Sequence, residues 1–149
     1  MICPRASLPQ LTGLTPLEIQ FLWEQPLRHV TTPAIAGREL FVAVVAGFLR
    51  KLPVFDVMQW QLVVRRLAES LREADSNCLV IILDGRWVVW TGSSQLLDIT
   101  TGEYVEELPY PALEHVSYNL GELFRRETAK FRQRTVAEAP NAHCQPEHV

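Results

Sequence analysis

Hydrophobic and polar positions repeat with a helical period up to about residue 75, with a strand period from 78 to 108, and with a helical period again near the end. The first helix is announced by Thr15-Pro16-Leu17-Glu18. Thr15 can cap, Pro16 suits the first helical position and Glu18 can reach back, so a helix is predicted to about Gln25. Thr32-Pro33 repeats the cap-plus-proline signal. A second helix is expected from Pro33 or Arg38 to Leu52, where Pro53 ends it. Asp56 reads as the cap of a third, reaching about Asp75. In it Trp60, Val63, Val64, Leu67, Leu71 and Ala74 share one face, and Arg65, Arg66, Glu69, Arg72 and Glu73 the other.

The period then becomes two. Cys78 to Leu83 and Arg86 to Thr91 read as strands joined by Asp84-Gly85, a dipeptide favoured in type I′ hairpins. A two-residue turn there would set Ile82 opposite Trp87, Val80 opposite Val89 and Leu79 opposite Trp90. Gly92-Ser93-Ser94 and Thr100-Thr101-Gly102 make further turns before strands at Gln95–Ile99 and Glu103–Leu108. Glu103, Glu106 and Glu107 mark the last strand as a charge-protected edge. After Pro109 and Pro111 a long helix is expected to about Ala137, with Leu113, Val116, Leu120, Phe124 and Phe131 as its inner stripe. The expected fold class is α+β: N-terminal helices, a four-stranded antiparallel meander and a long C-terminal helix. Residues 1–139 should form one domain and 140–149 a disordered polar tail.

Composition agrees with a folded chain: of 149 residues, 48% are hydrophobic and 21% charged. The net charge of −3 argues against a protein that coats polyanions generally. Acidic groups outnumber basic ones most strongly in the strand-period segment. Cys3, Cys78 and Cys144 are odd in number and scattered, which points to reduced thiols and a cytoplasmic setting. Pro4 and Pro9 interrupt the first apolar positions, so no leader is read there. Leu40 to Leu49 is the most apolar run, about half the roughly 20 residues a spanning helix needs. It is expected to be a buried helix rather than a membrane one.

Candidate chemistry is sparse. Asp84 and Asp98 could run acid–base catalysis if a cleft joined them, but each also suits a turn. His29 lies in a proline-flanked loop, and His115 near the start of the expected last helix. Gly92-Ser93-Ser94 lacks the lysine and following helix of a phosphate loop. His143, Cys144 and His148 lack a fourth ligand, so no metal and no cofactor is expected. Arg126, Lys130 and Arg134 form an i, i+4, i+8 ladder with Arg125 and Arg132 beside it. That stripe could meet phosphates, and a solvated helix face explains it equally well.

The aromatics point to association. Trp87 and Trp90, three apart on a strand, must face opposite sides, so one needs cover from a helix or a partner. The helix carrying Phe41 and Phe48 is apolar almost all round, with Ala43, Ala46 and Gly47 offering small surfaces for close approach. The function expected is therefore a non-enzymatic protein–protein interaction module (an adaptor, assembly factor or regulator) that self-associates as a homodimer. Trp87, Trp90, Phe41 and Phe48 are its interaction residues. The runner-up is a nucleic-acid-associated regulator using Arg125, Arg126, Lys130, Arg132 and Arg134. A small hydrolytic or transfer enzyme using Asp84 and Asp98 is third.

Overall fold

The computed structural model describes residues 1–71, 78–93 and 95–138, with side chains described as far as Arg134 in the last helix. The chain begins with strand β1 (Ile2–Pro4), a short 3-10 turn and helix α1 (Leu8–Thr12). Helix α2 (Pro16–Glu24), strand β2 (Ala34–Ala36), and helices α3 (Gly37–Arg50) and α4 (Val57–Ser70) follow. Strands β3 (Leu79–Leu83), β4 (Trp87–Trp90), β5 (Gln95–Asp98), β6 (Tyr104–Val105) and β7 (His115–Asn119) lead into helix α5 (Leu120–Glu138). The fold is α+β with a long C-terminal helix, as the hydrophobic pattern implies. The expected tail, the candidate ligands His143, Cys144 and His148, and the stretch 72–77 lie outside the described residues.

Two helices begin where their caps say they should. The Thr15 hydroxyl accepts from the Glu18 N–H at 3.3 Å, and the Glu18 carboxylate accepts from the Thr15 N–H at 2.9 Å. Asp56 and Gln59 repeat that reciprocal pair at the start of α4. Each box satisfies amide groups that no helical carbonyl can reach. The stretch expected to open the second helix at Pro33 forms β2 instead, paired antiparallel with β1.

Helix α3 is the central element. Residues 40 to 47 and Leu49 are all buried, because α1, α4 and α5 pack around it. The Trp60 indole donates to the Ala46 carbonyl at 2.7 Å, and Phe41 meets Phe124 of α5 edge-on at 5.4 Å between ring centres. At Gly47 a Cβ would lie 2.7 Å from the Thr12 carbonyl oxygen, so the missing side chain is what lets α1 sit close. The apolar circumference of α3, expected to call for a partner, is covered from within the chain.

The main sheet runs β6-β5-β4-β3-β7, all antiparallel, and has five strands rather than four. The extra strand is β7, in a stretch expected to be helical. Leu113 and Val116, assigned to the inner stripe of that helix, are 89% and 51% exposed. The hairpin is also corrected. Asp84 and Gly85 have positive φ (52° and 66°), and the Arg86 N–H donates to the Leu83 carbonyl at 3.1 Å, so the turn itself is as expected. Pairing beyond it is shifted by one residue: Leu83 faces Trp87, Ile82 faces Val88 and Val80 faces Trp90. Arg86 is the surplus residue. Its carbonyl accepts from Ile99 beyond β5 instead of pairing back to β3.

The register sorts the side chains. Val80, Ile82, Val88, Trp90 and Leu97 face the helices and join the core. Ile81, Leu83, Trp87, Val89 and Leu96 face away. Among the described residues no helix is long and apolar enough to cross a membrane. Cys78 is outside any disulfide but Cys3 is disulfide-bonded, which corrects the expectation of reduced thiols throughout.

Candidate functional site

The sheet has two edges, and they differ. The β6 edge is two residues long and flanked by Glu103, Glu106 and Glu107, the features that discourage another chain from pairing there. The β7 edge is five residues long and contains no charged residue and no proline. Its side chains alternate: Val116 and Tyr118 lie on the core side, His115, Ser117 and Asn119 on the other. Tyr118 packs edge-on against Phe48 at 5.2 Å. Asn119 ends the strand by starting the next helix, its side-chain oxygen accepting from the Glu122 N–H at 2.9 Å.

Backbone directions on β7 follow from bonds at its two ends. The Asp84 N–H donates to the Glu114 carbonyl, and the Leu120 N–H donates to that of Cys78. Hydrogen-bonded pairs alternate in an antiparallel ladder, so Val116 and Tyr118 direct their backbone groups to β3. His115, Ser117 and Asn119 direct theirs outward, where the sheet ends among the described residues. Beside this edge a groove of about 380 Å³ runs between the loop after α3 and the core-side face of β3 and β7. Leu52, Pro53, Val54, Ile82, Val116 and Tyr118 make up most of its lining, with Asp84, Glu114 and His115 also on it.

The residues singled out from sequence are dispersed. Trp87 and Trp90 are each 5% exposed. Trp90 stands in the core beside Tyr104, whose ring Arg66 approaches from α4. Trp87 lies on the other face, beneath the β6–β7 crossover, and its indole donates to the Tyr110 hydroxyl at 3.0 Å. Neither tryptophan waits for a partner, since a loop rather than a helix supplies the second cover. Phe41 is interior, and Phe48 is half-buried with Arg126 above its ring.

The Asp84 carboxylate accepts from the Glu114 N–H at 2.7 Å and from Leu113, tying the hairpin to the start of β7. Asp98 accepts from the Thr100 N–H at 2.8 Å. Both carboxylates are engaged by backbone, and of the two only Asp84 lines the β7 groove. Arg125, Arg126, Lys130, Arg132 and Arg134 are all exposed along α5. Lys130 and Arg134 join Lys51, Phe48 and Glu127 around a second groove between α5 and the end of α3. Arg134 also donates to the Gln10 carbonyl at 3.3 Å.

No protein-family model, curated protein or solved structure matches this chain. Its chemistry is therefore read from its own geometry, and the β7 edge is the place where that geometry is least complete. The strand could have been found in the sequence. His-Val-Ser-Tyr-Asn alternates polar and apolar with period two, and Asn119-x-x-Glu122 is a helix-start pattern. The helical spacing of Val116 and Leu120 masks both signals.

Proposed function

We propose that the chain is a protein–protein interaction module that works by strand addition at β7, and that its occupant is a second copy of itself. The observation that carries this reading is the five-residue edge, free of charge and proline, beside a mostly apolar groove, with Leu113 and Val116 exposed. Unpaired N–H and C=O rows are templates for another strand, and folded proteins ordinarily blunt them with charge, proline or brevity. Among the described residues β6 is blunted and no strand pairs with the outer side of β7.

The strand is complementary to itself. Two copies of β7 set antiparallel about Ser117 would pair His115 with Asn119 of the second copy and Ser117 with its counterpart. These are the residues whose backbone groups point outward. Val116 would face Tyr118 of the second copy on the core side, an apolar cross-strand pair, and no like charges would meet within the strand. The result is one continuous sheet through both copies, an isologous contact of the commonest kind.

Sedimentation equilibrium tests the reading, with Ser117→Pro as the decisive variant. The Ser117 N–H points away from β3, so proline there removes an outward donor while sparing the β3–β7 ladder. The expected result is a wild-type dimer at micromolar concentration and a monomeric variant with a wild-type circular dichroism spectrum. A wild-type monomer throughout that range, or a dimer indifferent to Ser117→Pro, contradicts the proposal.

A further inference from the structure

A third concave site lies between the loop after α2, the start of α3 and helix α4. The loop after α2 turns at Pro26 and is anchored by buried Leu27, whose N–H donates to the Leu22 carbonyl and whose carbonyl accepts from Val30. That anchor presents Arg28 and His29 outward. The Arg28 Nε–H donates to His29 Nε2 at 3.2 Å, which fixes the direction of the guanidinium. Across from them stand Arg38, in the first turn of α3, and Arg65, on α4. Together with Glu69 they line a cleft of about 370 Å³.

Arg38 has a structural task as well. It donates to the Leu71 carbonyl at 2.8 Å and to that of Ala68, so it covers the carbonyl end of α4, which would otherwise repel an anion. Arg28 spends one donor on His29, and Arg65 is exposed with no ion pair or hydrogen bond among the described residues. Among the described residues, three arginines and one carboxylate line this cleft, a surplus of two positive charges. An anion would neutralise that surplus, and planar guanidinium forks match phosphate oxygens in pairs.

We infer that this cleft binds a phosphomonoester group, with Arg28 and Arg65 as the ligating arms and Arg38 as a fixed positive charge. A phosphomonoester carries about −1.5 to −2 charges at neutral pH, which matches the surplus. The volume admits the phosphate together with a small organic group rather than an extended polymer backbone. The phosphate could come from a free ester or from a phosphorylated side chain of a protein, and the test separates the two sources.

The full chain, labelled with ¹⁵N, is titrated with inorganic phosphate, O-phosphoserine and a phosphoseryl peptide while the arginine Nε–H resonances are followed. Saturable shifts at Arg28 and Arg65 are expected. They should weaken at least tenfold in Arg65→Gln and persist in Lys130→Gln, which alters the other basic groove. A peptide bound tenfold more tightly than O-phosphoserine assigns the site to phosphorylated protein, and equal affinity assigns it to a free ester. Absence of saturable shifts with all three probes, or undiminished binding by Arg65→Gln, overturns the inference.

Discussion

The indole N–H of Trp87 donates to the hydroxyl of Tyr110 at 3.0 Å, across 23 residues of chain. Tyr110 belongs to the crossover that carries the chain from the β6 edge to the β7 edge. The contact therefore does two things at once: it covers the tryptophan that faces away from the core, and it holds the segment that delivers β7. Tyr110→Ala is expected to uncover Trp87, seen as increased acrylamide quenching of tryptophan fluorescence, and to cost about 1–3 kcal/mol. Unchanged quenching would mean that something other than Tyr110 covers the ring.

The hairpin turn offers a sharper test of backbone conformation. Gly85 has φ of 66°, and a Cβ there would come within 3.3 Å of Val54 Cγ2. Gly85→Val combines a β-branched residue at positive φ with that contact, and should lower stability by about 2 kcal/mol or more in urea unfolding. Asp84→Asn keeps a residue that tolerates positive φ but weakens the acceptor for the Leu113 and Glu114 amides. A smaller loss, about 1 kcal/mol, is expected there. Equal losses for the two variants would remove the conformational explanation.

Gly47 tests the packing of α1 on α3. A Cβ would lie under 3 Å from the backbone of Thr12, so Gly47→Ala forces α1 outward despite alanine's better helix propensity. A loss of about 1–3 kcal/mol is expected from overpacking, measured by thermal or urea unfolding. A stabilised variant would show that the helices do not approach as described.

Glu18 sets a pH dependence. Burial alone would raise its carboxyl pKa. The Thr15 backbone N–H, the Arg50 guanidinium and the Thr15 hydroxyl outweigh burial, so the pKa lies below the ordinary carboxylate value. A group with a depressed folded pKa contributes stability that is present above its unfolded pKa, about 4.3, and lost as pH falls through the folded value. Glu18→Gln should therefore be less stable than wild type at pH 7, with the gap closing below about pH 4.3. Urea midpoints for the two proteins at pH 7 and pH 3 decide it, and a gap independent of pH would contradict the assignment.

What the sequence determined by itself was local. Thr15 with Glu18 and Asp56 with Gln59 start helices because a side chain three residues away satisfies the first free amides, and that needs no distant partner. Asp84-Gly85 makes its turn because those two residues tolerate positive φ. The α+β class followed from the change of period, and the protected β6 edge from its glutamates. Tertiary structure decided the rest. The hairpin register moved by one because the Arg86 carbonyl found Ile99 across the sheet. Residues 115–119 are compatible with either period, and became a strand because β3 had an open edge and Asp84 could hold the Leu113 and Glu114 amides in place. The β7 edge, the Trp87 cover and the arginine cleft all depend on contacts between residues far apart in the chain. A local pattern records a side chain's preference, and only the packed chain settles which neighbour it meets.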